Sequence, residues 1–251
     1  RSLRLVYSSL VTPTTHYDYD MATRVVTVLK RRVVLGGYAP ADYVQRREWA
    51  RSTDGTMVPM SIVHRRDLVP DGSAGGLLYG YGAYGLSLDP EFWMTLSALP
   101  MLDRGYVVAI AHVRGGAELG RQWYDGGRLA AKPNSFSDFI ACADHLIATG
   151  LVSADRLAAS GGSAGGLLIG AVANLAPERF AFLHAAVPFV DPLTTILDES
   201  LPLTVSEWDE WGDAPHDETA YRRIKSWSPY ENVRATAYPS LLVTADAHDT
   251  R

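Results

Sequence analysis

Cysteine is nearly absent from these 251 residues: Cys142 stands alone, so no disulfide can form within the chain. Its setting, Phe139-Ile140-Ala141-Cys142-Ala143, makes it a small core residue of a helix and not a catalytic thiol. Long apolar runs are missing too. None approaches the roughly eighteen residues a membrane span needs. The opening Arg1-Ser2-Leu3-Arg4 lacks the apolar centre of a secretion signal, so a cytoplasmic setting without membrane contact is expected. Basic charge is not in excess: a net charge of -5 removes the electrostatic reason to bind nucleic acid or anionic lipid. No glycine-rich segment ends in the Gly-Lys-Ser/Thr of a phosphate-binding loop, and neither a cofactor nor a metal is expected.

One absence is local. Between Phe180 and Tyr221 there is no Lys or Arg, while Asp191, Asp198, Glu199, Glu207, Asp209, Glu210, Asp213, Asp217 and Glu218 accumulate. Such a run is ordinarily a solvated face. Here it also contains Trp208 and Trp211, and a wall of aromatics and carboxylates suits a pocket that receives a cation; both readings stand on the sequence.

What is present begins with Gly161-Gly162-Ser163-Ala164-Gly165, a G-x-S-x-G box between an apolar strand-like stretch, 157–160, and a helix-like run, 167–175. In that setting the serine sits on a sharp turn with its hydroxyl exposed at the carboxyl edge of a sheet. The helix that follows turns its free N–H groups and positive dipole end to the same spot, which suits an oxyanion. Ser163 is therefore the candidate nucleophile.

At 47% hydrophobic and 20% charged, the composition is that of a globular chain with enough length for one large domain or two small ones. Residues 4–9 and 25–29 look like short strands separated by a turn-rich 13–20, in which Tyr17 and Tyr19 nonetheless favour extended backbone. The character changes near Gly36-Gly37-Tyr38-Ala39-Pro40. Beyond it, 48–51 and 58–64 read as a hairpin turning at Asp54-Gly55. Strand-like runs at 77–81, 106–112, 157–160, 182–187 and 241–245 then alternate with helical ones, which points to a parallel sheet covered by helices. One helix is legible in detail: Ser135 and Asp138 form a capping pair, Phe139, Cys142, Leu146 and Ile147 share a face, and Gly150 ends it.

In α/β-hydrolases the triad runs Ser, then Asp or Glu, then His. Asp246 and Asp249 follow the last predicted strand and are the candidate acids. The seven histidines offer no base in that order. None lies beyond Asp249, His248 adjoins the acid, and His145 and His184 are expected to be hydrogen-bonded structural residues.

The strings Gly161 to Gly166, Tyr79-Gly80-Tyr81-Gly82, His112-Val113-Arg114-Gly115-Gly116, Val187-Pro188-Phe189-Val190-Asp191, Asp198-Glu199-Ser200-Leu201-Pro202-Leu203-Thr204 and Ser228-Pro229-Tyr230 resemble the prolyl oligopeptidase family of serine peptidases, in particular its branch that cleaves short peptides after Arg or Lys. The resemblance implies an α/β-hydrolase domain, mostly parallel sheet with helices on both faces, over residues 36–251. Residues 1–35 would be the remnant of a β-propeller blade. It implies Ser163 as nucleophile, Asp249 as triad acid, and the Tyr81 hydroxyl with the Ala164 N–H as oxyanion donors. Glu207, assisted by Asp209, would receive the substrate's basic side chain; Asp89 and Glu91 would favour a further basic residue. The family's histidine falls beyond Arg251, so the chain is expected to be an internal fragment, nearly inert by itself. A general esterase, or a non-catalytic binding protein of the same fold, are the alternatives.

Overall fold

The computed structural model describes residues 1–247; His248 and the expected triad acid Asp249 lie outside the described residues. The chain opens with an antiparallel three-stranded sheet, β1 (Ser2–Tyr7), β2 (Thr15–Asp20) and β3 (Val26–Arg31), in that order. The middle strand corrects the sequence reading, which took 13–20 as turn. Tyr17 pairs with Leu5 and Tyr19 with Leu3 on one side, while Tyr17 pairs with Val28 on the other. With partners for its backbone on both flanks, the segment follows its tyrosines and not the turn residues around them. β1 and β3 are exposed along their length.

The second sheet has seven strands: β4 (Tyr43–Arg51), β5 (Met57–Arg65), β6 (Gly76–Tyr79), β7 (Val107–Ala111), β8 (Leu157–Gly162), β9 (Phe182–Ala186) and β10 (Ser240–Thr244). Their spatial order is β10-β9-β8-β6-β7-β5-β4. Pairing is parallel from β10 through β7, and antiparallel from β7 to β5 and from β5 to β4. The sheet is thus mixed where alternation alone suggested a parallel one. A short turn can only fold a strand back on its neighbour, and Gly55 at φ +87° with Thr56 N–H donating to Asp54 Oδ1 (2.9 Å) makes such a turn between β4 and β5.

Helices α1 (Phe92–Leu102), α2 (Arg121–Asp125), α3 (Pro133–Ala148), α4 (Ala164–Leu175), α5 (Pro192–Leu197), α6 (Thr204–Trp211) and α7 (Glu218–Trp227) complete the fold. Strand β7 shows why helices lie on both faces. Val107, Ala109 and Ala111 join the core under α3 and α4, whereas Val108 and Ile110 join a second core with Met94, Ala98 and Leu102 of α1. A fully buried strand with period-two side chains needs a cover on each side. This is the α/β-hydrolase architecture expected from the sequence.

Helix α3 departs from expectation at its start. Pro133, whose missing N–H costs nothing in the first turn, opens the helix, so Ser135 and Asp138 lie inside it and are buried. Asp138 is an ion-pair partner and not half of a cap: it accepts from the Arg114 N–H (3.1 Å), Nε (2.8 Å) and Nη2 (2.6 Å). Ser135 Oγ donates to the Arg114 carbonyl at 2.6 Å. The pairing raises the Arg114 pKa above its ordinary value. Gly150, at φ +70°, lies just past the end of the helix as read from the sequence.

Candidate active site

Ser163 lies between β8 and α4 with φ +56° and ψ -118°, a conformation that L residues rarely hold. Its backbone is fixed from both sides. The Ser163 N–H donates to Ala186 O of β9 (2.9 Å), and Ser163 O accepts from Leu167 N–H (3.1 Å) and Phe189 N–H (3.2 Å). The turn closes because its glycines leave room: a Cβ on Gly161 would stand 2.3 Å from Gly165 O, and one on Gly165 would stand 2.7 Å from Gly80 O. Ala164 is the first residue of α4, so its N–H precedes the first intrahelical bond.

A pocket of about 240 Å³ opens beside the serine. Its residues come from the carboxyl ends of the parallel strands and from the segments that follow them. Ser163 comes after β8, Tyr84 after β6, and Val187, Pro188 and Phe189 after β9; Thr195 lies in α5, Pro202 just before α6, and Thr204 and Glu207 within α6. This is where open α/β sheets place ligands. Three of the lining residues hold positive φ without being glycine: Ser163 (+56°), Tyr84 (+58°) and Val187 (+38°). Strain of this kind persists only where the surroundings enforce it. One such brace is Asp191, whose side chain accepts from Thr194 N–H (3.2 Å) and caps α5 behind the 187–190 segment. Asp191→Ala is expected to cost about 1 kcal/mol, measured as a lower urea midpoint at unchanged denaturant slope.

Glu207 brings a half-buried carboxylate to this pocket, and its Oε2 accepts from Trp211 Nε1 (3.2 Å). Trp211 stands behind, with Tyr84 edge-on at 5.5 Å and Phe189 at 5.8 Å between ring centroids. Tyr81 is half-buried, with its ring centroid 6.5 Å from that of Tyr84, and its Cα lies 3.3 Å from where a Gly165 Cβ would stand. The loop of Tyr81 is therefore in contact distance of the start of α4. The remaining acidic candidates are elsewhere. Asp209 is exposed and does not line the pocket; its carbonyl accepts from Arg128 Nη1 (3.1 Å). Asp89 and Glu91 are exposed ahead of α1 and likewise do not line it. Trp208 does not line it either, and packs edge-on against His216 at 5.5 Å. Among the described residues no histidine lines it: His184 Nδ1 is 3.0 Å from Ser160 Oγ, and His145 Nε2 is 2.6 Å from Glu48 Oε2.

The family model described as the prolyl oligopeptidase family matches residues 92–251. The chain belongs to the prolyl oligopeptidase family. It is 46% identical over 250 residues to dipeptidyl aminopeptidase BI of Pseudoxanthomonas mexicana, covering 99% of this chain and 34% of that protein. It is 46% identical over 245 residues to Protease 2 of Moraxella lacunata, covering 98% and 35%. Among solved structures it superposes on oligopeptidase B from Trypanosoma brucei, with covalently bound antipain in a closed form, at a TM-score of 0.93 and 49% identity, covering 100% of this chain and 35% of that one. The chain thus spans about a third of the length of the curated relatives it matches.

Within this member of the prolyl oligopeptidase family, sequence reasoning passed over several residues that build the pocket. Phe189 sits in a string singled out above and Tyr84 two residues past another, Tyr79 to Gly82, yet only the tertiary structure shows them facing the same space. Glu210, adjacent to the proposed Asp209, is the buried carboxylate of the acidic run: its Oε1 accepts from Tyr84 N–H (3.0 Å) and its Oε2 from the Tyr124 hydroxyl (2.6 Å). In a helix of this length the order of charges along the sequence does not say which one turns inward. The apolar period does, and Trp211 next to Glu210 was the available signal.

Proposed function

We propose that this chain carries the catalytic machinery of a serine peptidase that cleaves short peptides after Arg or Lys. The observation that carries the reading is that Ser163 and Glu207 line one pocket with aromatic walls. A flat guanidinium or an ammonium leaving water needs a carboxylate to replace its hydration and gains from ring faces beside it. In this reading Ser163 attacks the carbonyl carbon, the Tyr81 hydroxyl and the Ala164 N–H hold the developing oxyanion, and an acyl-enzyme forms as the amine leaves. Asp249, outside the described residues, is the triad acid. No histidine among the described residues lines the pocket; by its resemblance to the family the reading takes the general base from beyond Arg251 and the chain alone to be nearly inert. Asp209, Asp89 and Glu91, exposed at the surface, would act on substrate only as a diffuse acidic field or after rearrangement. The covalently bound antipain of the Trypanosoma brucei relative is consistent with covalent chemistry at such a site. We read residues 1–35, with their exposed antiparallel strands, as the end of a propeller blade, and the setting as cytoplasmic.

The test is a comparison of arginyl and uncharged acyl esters on a protein that carries this chain at the full length of its relatives. Arginyl esters are expected to be favoured in kcat/KM by about a hundredfold or more, from a charge pair worth several kcal/mol. Equal rates on both esters would replace the reading by a general esterase.

Tyr81→Phe separates the oxyanion role from packing. A hydroxyl that acts only as charge builds on the carbonyl oxygen contributes to turnover and not to ground-state binding, so kcat is expected to fall roughly a hundredfold to a thousandfold with KM nearly unchanged. A wild-type turnover number for Tyr81→Phe removes it from the mechanism.

A further inference from the structure

Lys132 is 1% exposed, in a core where an ammonium has little water to solvate it. Its Nζ donates to Gly82 O (2.5 Å) and lies 5.0 Å from the centre of the Trp211 ring and 6.0 Å from that of Phe136. Burial lowers its pKa to about 8, and Glu210 opposes the shift. Glu210 is itself 3% exposed. Burying two opposite charges is often no more stabilising than burying apolar side chains of the same volume, so stability alone does not account for them. Both ions, however, end on the same short loop. Lys132 takes the carbonyl of Gly82, and Glu210 takes the N–H of Tyr84, two residues on. The loop has one turn bond of its own, Leu86 N–H to Ala83 O (3.1 Å), with Gly85 N–H donating to Gly115 O (2.9 Å) and Ser135 Oγ 3.4 Å from Gly82 O, and it carries a strained residue, Tyr84 at φ +58°, beside Gly82 at φ +71°. Tyr81 lies at one end of the loop and Tyr84, a wall of the pocket, at the other.

We propose that Lys132 and Glu210 form a buried clamp that grips the Gly82–Tyr84 loop from two sides and so sets the positions of Tyr81 and Tyr84 over Ser163. They are positioning residues: neither lines the pocket that holds Ser163. The clamp is tied further outward, because Glu210 also accepts from Tyr124 of α2 and because Trp211, under the ammonium, donates to Glu207 and lies 3.3 Å from the Tyr84 hydroxyl. The inference about turnover rests on the peptidase reading above; the inference about the loop does not.

The experiment uses the full-length protein with Lys132→Met, which keeps an unbranched stem one atom shorter and removes the charged donor, and Glu210→Gln, which is isosteric. Amide hydrogen exchange is followed over residues 81–86, with β7 and α4 as internal references. Either variant is expected to speed exchange in the loop by roughly tenfold, the difference between a buried hydrogen bond to a charged group and one to a neutral group or none, with the references still protected. Turnover is expected to fall by about a hundredfold, the effect of a displacement on the order of 1 Å at a reacting centre. It should fall alike on arginyl and uncharged esters, since the carbonyl is common to both. Unchanged exchange in the loop overturns the clamp, and so does a rise spread equally over β7 and α4, which marks general destabilisation. Faster loop exchange with wild-type turnover overturns the positioning role. If the wild-type protein cleaves neither ester, the peptidase reading fails while the exchange result still decides the clamp. Should Lys132→Met not fold, Glu210→Gln carries the same comparison.

Discussion

Ser163→Ala, in a protein carrying this chain at the full length of its relatives, is expected to lower turnover on an arginyl ester about a millionfold while leaving KM within a few-fold. The substitution removes one oxygen and nothing else. Alanine keeps the Cβ that already occupies φ +56°, and the backbone bonds to Ala186, Leu167 and Phe189 do not involve the hydroxyl, so the turn is expected to persist. Without the oxygen no acyl-enzyme can form, and what remains is the smaller acceleration from binding and the oxyanion donors. Labelling by a serine-directed fluorophosphonate should vanish in the same variant. Retained labelling elsewhere in the chain, together with retained turnover, would mean that another nucleophile does the work.

The second large effect is expected at Glu207. Removing one partner of a desolvated charge pair costs about 2 to 5 kcal/mol, so Glu207→Ala should depress kcat/KM for arginyl esters by between roughly thirtyfold and several thousandfold. Uncharged esters should be affected little. The Trp211 N–H, which donates to Glu207, keeps an acceptor in the Tyr84 hydroxyl at 3.3 Å, so the loss is expected to come from the substrate cation. Asp209→Ala is the control: Asp209 is exposed and outside the pocket, and an exposed charge contributes on the order of 1 kcal/mol or less. The contrast should survive moderate salt, because screening acts on the exposed carboxylate and much less on the half-buried one. Equal small losses for both substitutions would reduce the acidic run to a solvated face.

The clamp connects these two predictions to the loop that joins them. Glu207 and Glu210 are one helical turn apart on α6, one facing the pocket and one facing the loop of Tyr84, with the Trp211 indole between the pocket and Lys132. A substitution at Glu210 is therefore expected to touch turnover on every ester, and one at Glu207 to touch only the basic ones. Measuring both esters on both variants separates specificity from positioning within a single helix.

How much of this could be read without coordinates depended on the range over which each cause acts. The Gly161 to Gly165 box announced Ser163 because a strained turn needs its small residues next to each other in sequence, and the turn at Asp54-Gly55 was legible for the same reason. The helix carrying Phe139, Cys142 and Leu146 was legible from its period, since the face it buries repeats with the helical turn. The same segment also misled. Ser135 and Asp138 have the spacing of a cap, and only the arrival of Arg114 from the end of β7 makes Asp138 a buried ion-pair partner. The strand Thr15–Asp20 was hidden for a similar reason: its turn-forming residues are local, and the two flanking strands that overrule them are not.

The sequence by itself determined the sharp turn at Ser163, the alternation that builds an α/β sheet and the presence of an acidic, tryptophan-containing run, because each of these is written in neighbouring residues. Only the tertiary structure decided where each of those acids stands. Glu207 reaches the pocket, Glu210 is buried against the Tyr84 loop, and Asp209 between them is left in solvent. Charge along a chain carries no direction, and it is the packing of Trp211 against Phe189, Tyr84 and Lys132 that fixes the rotation of α6 and so sorts its carboxylates into inward and outward.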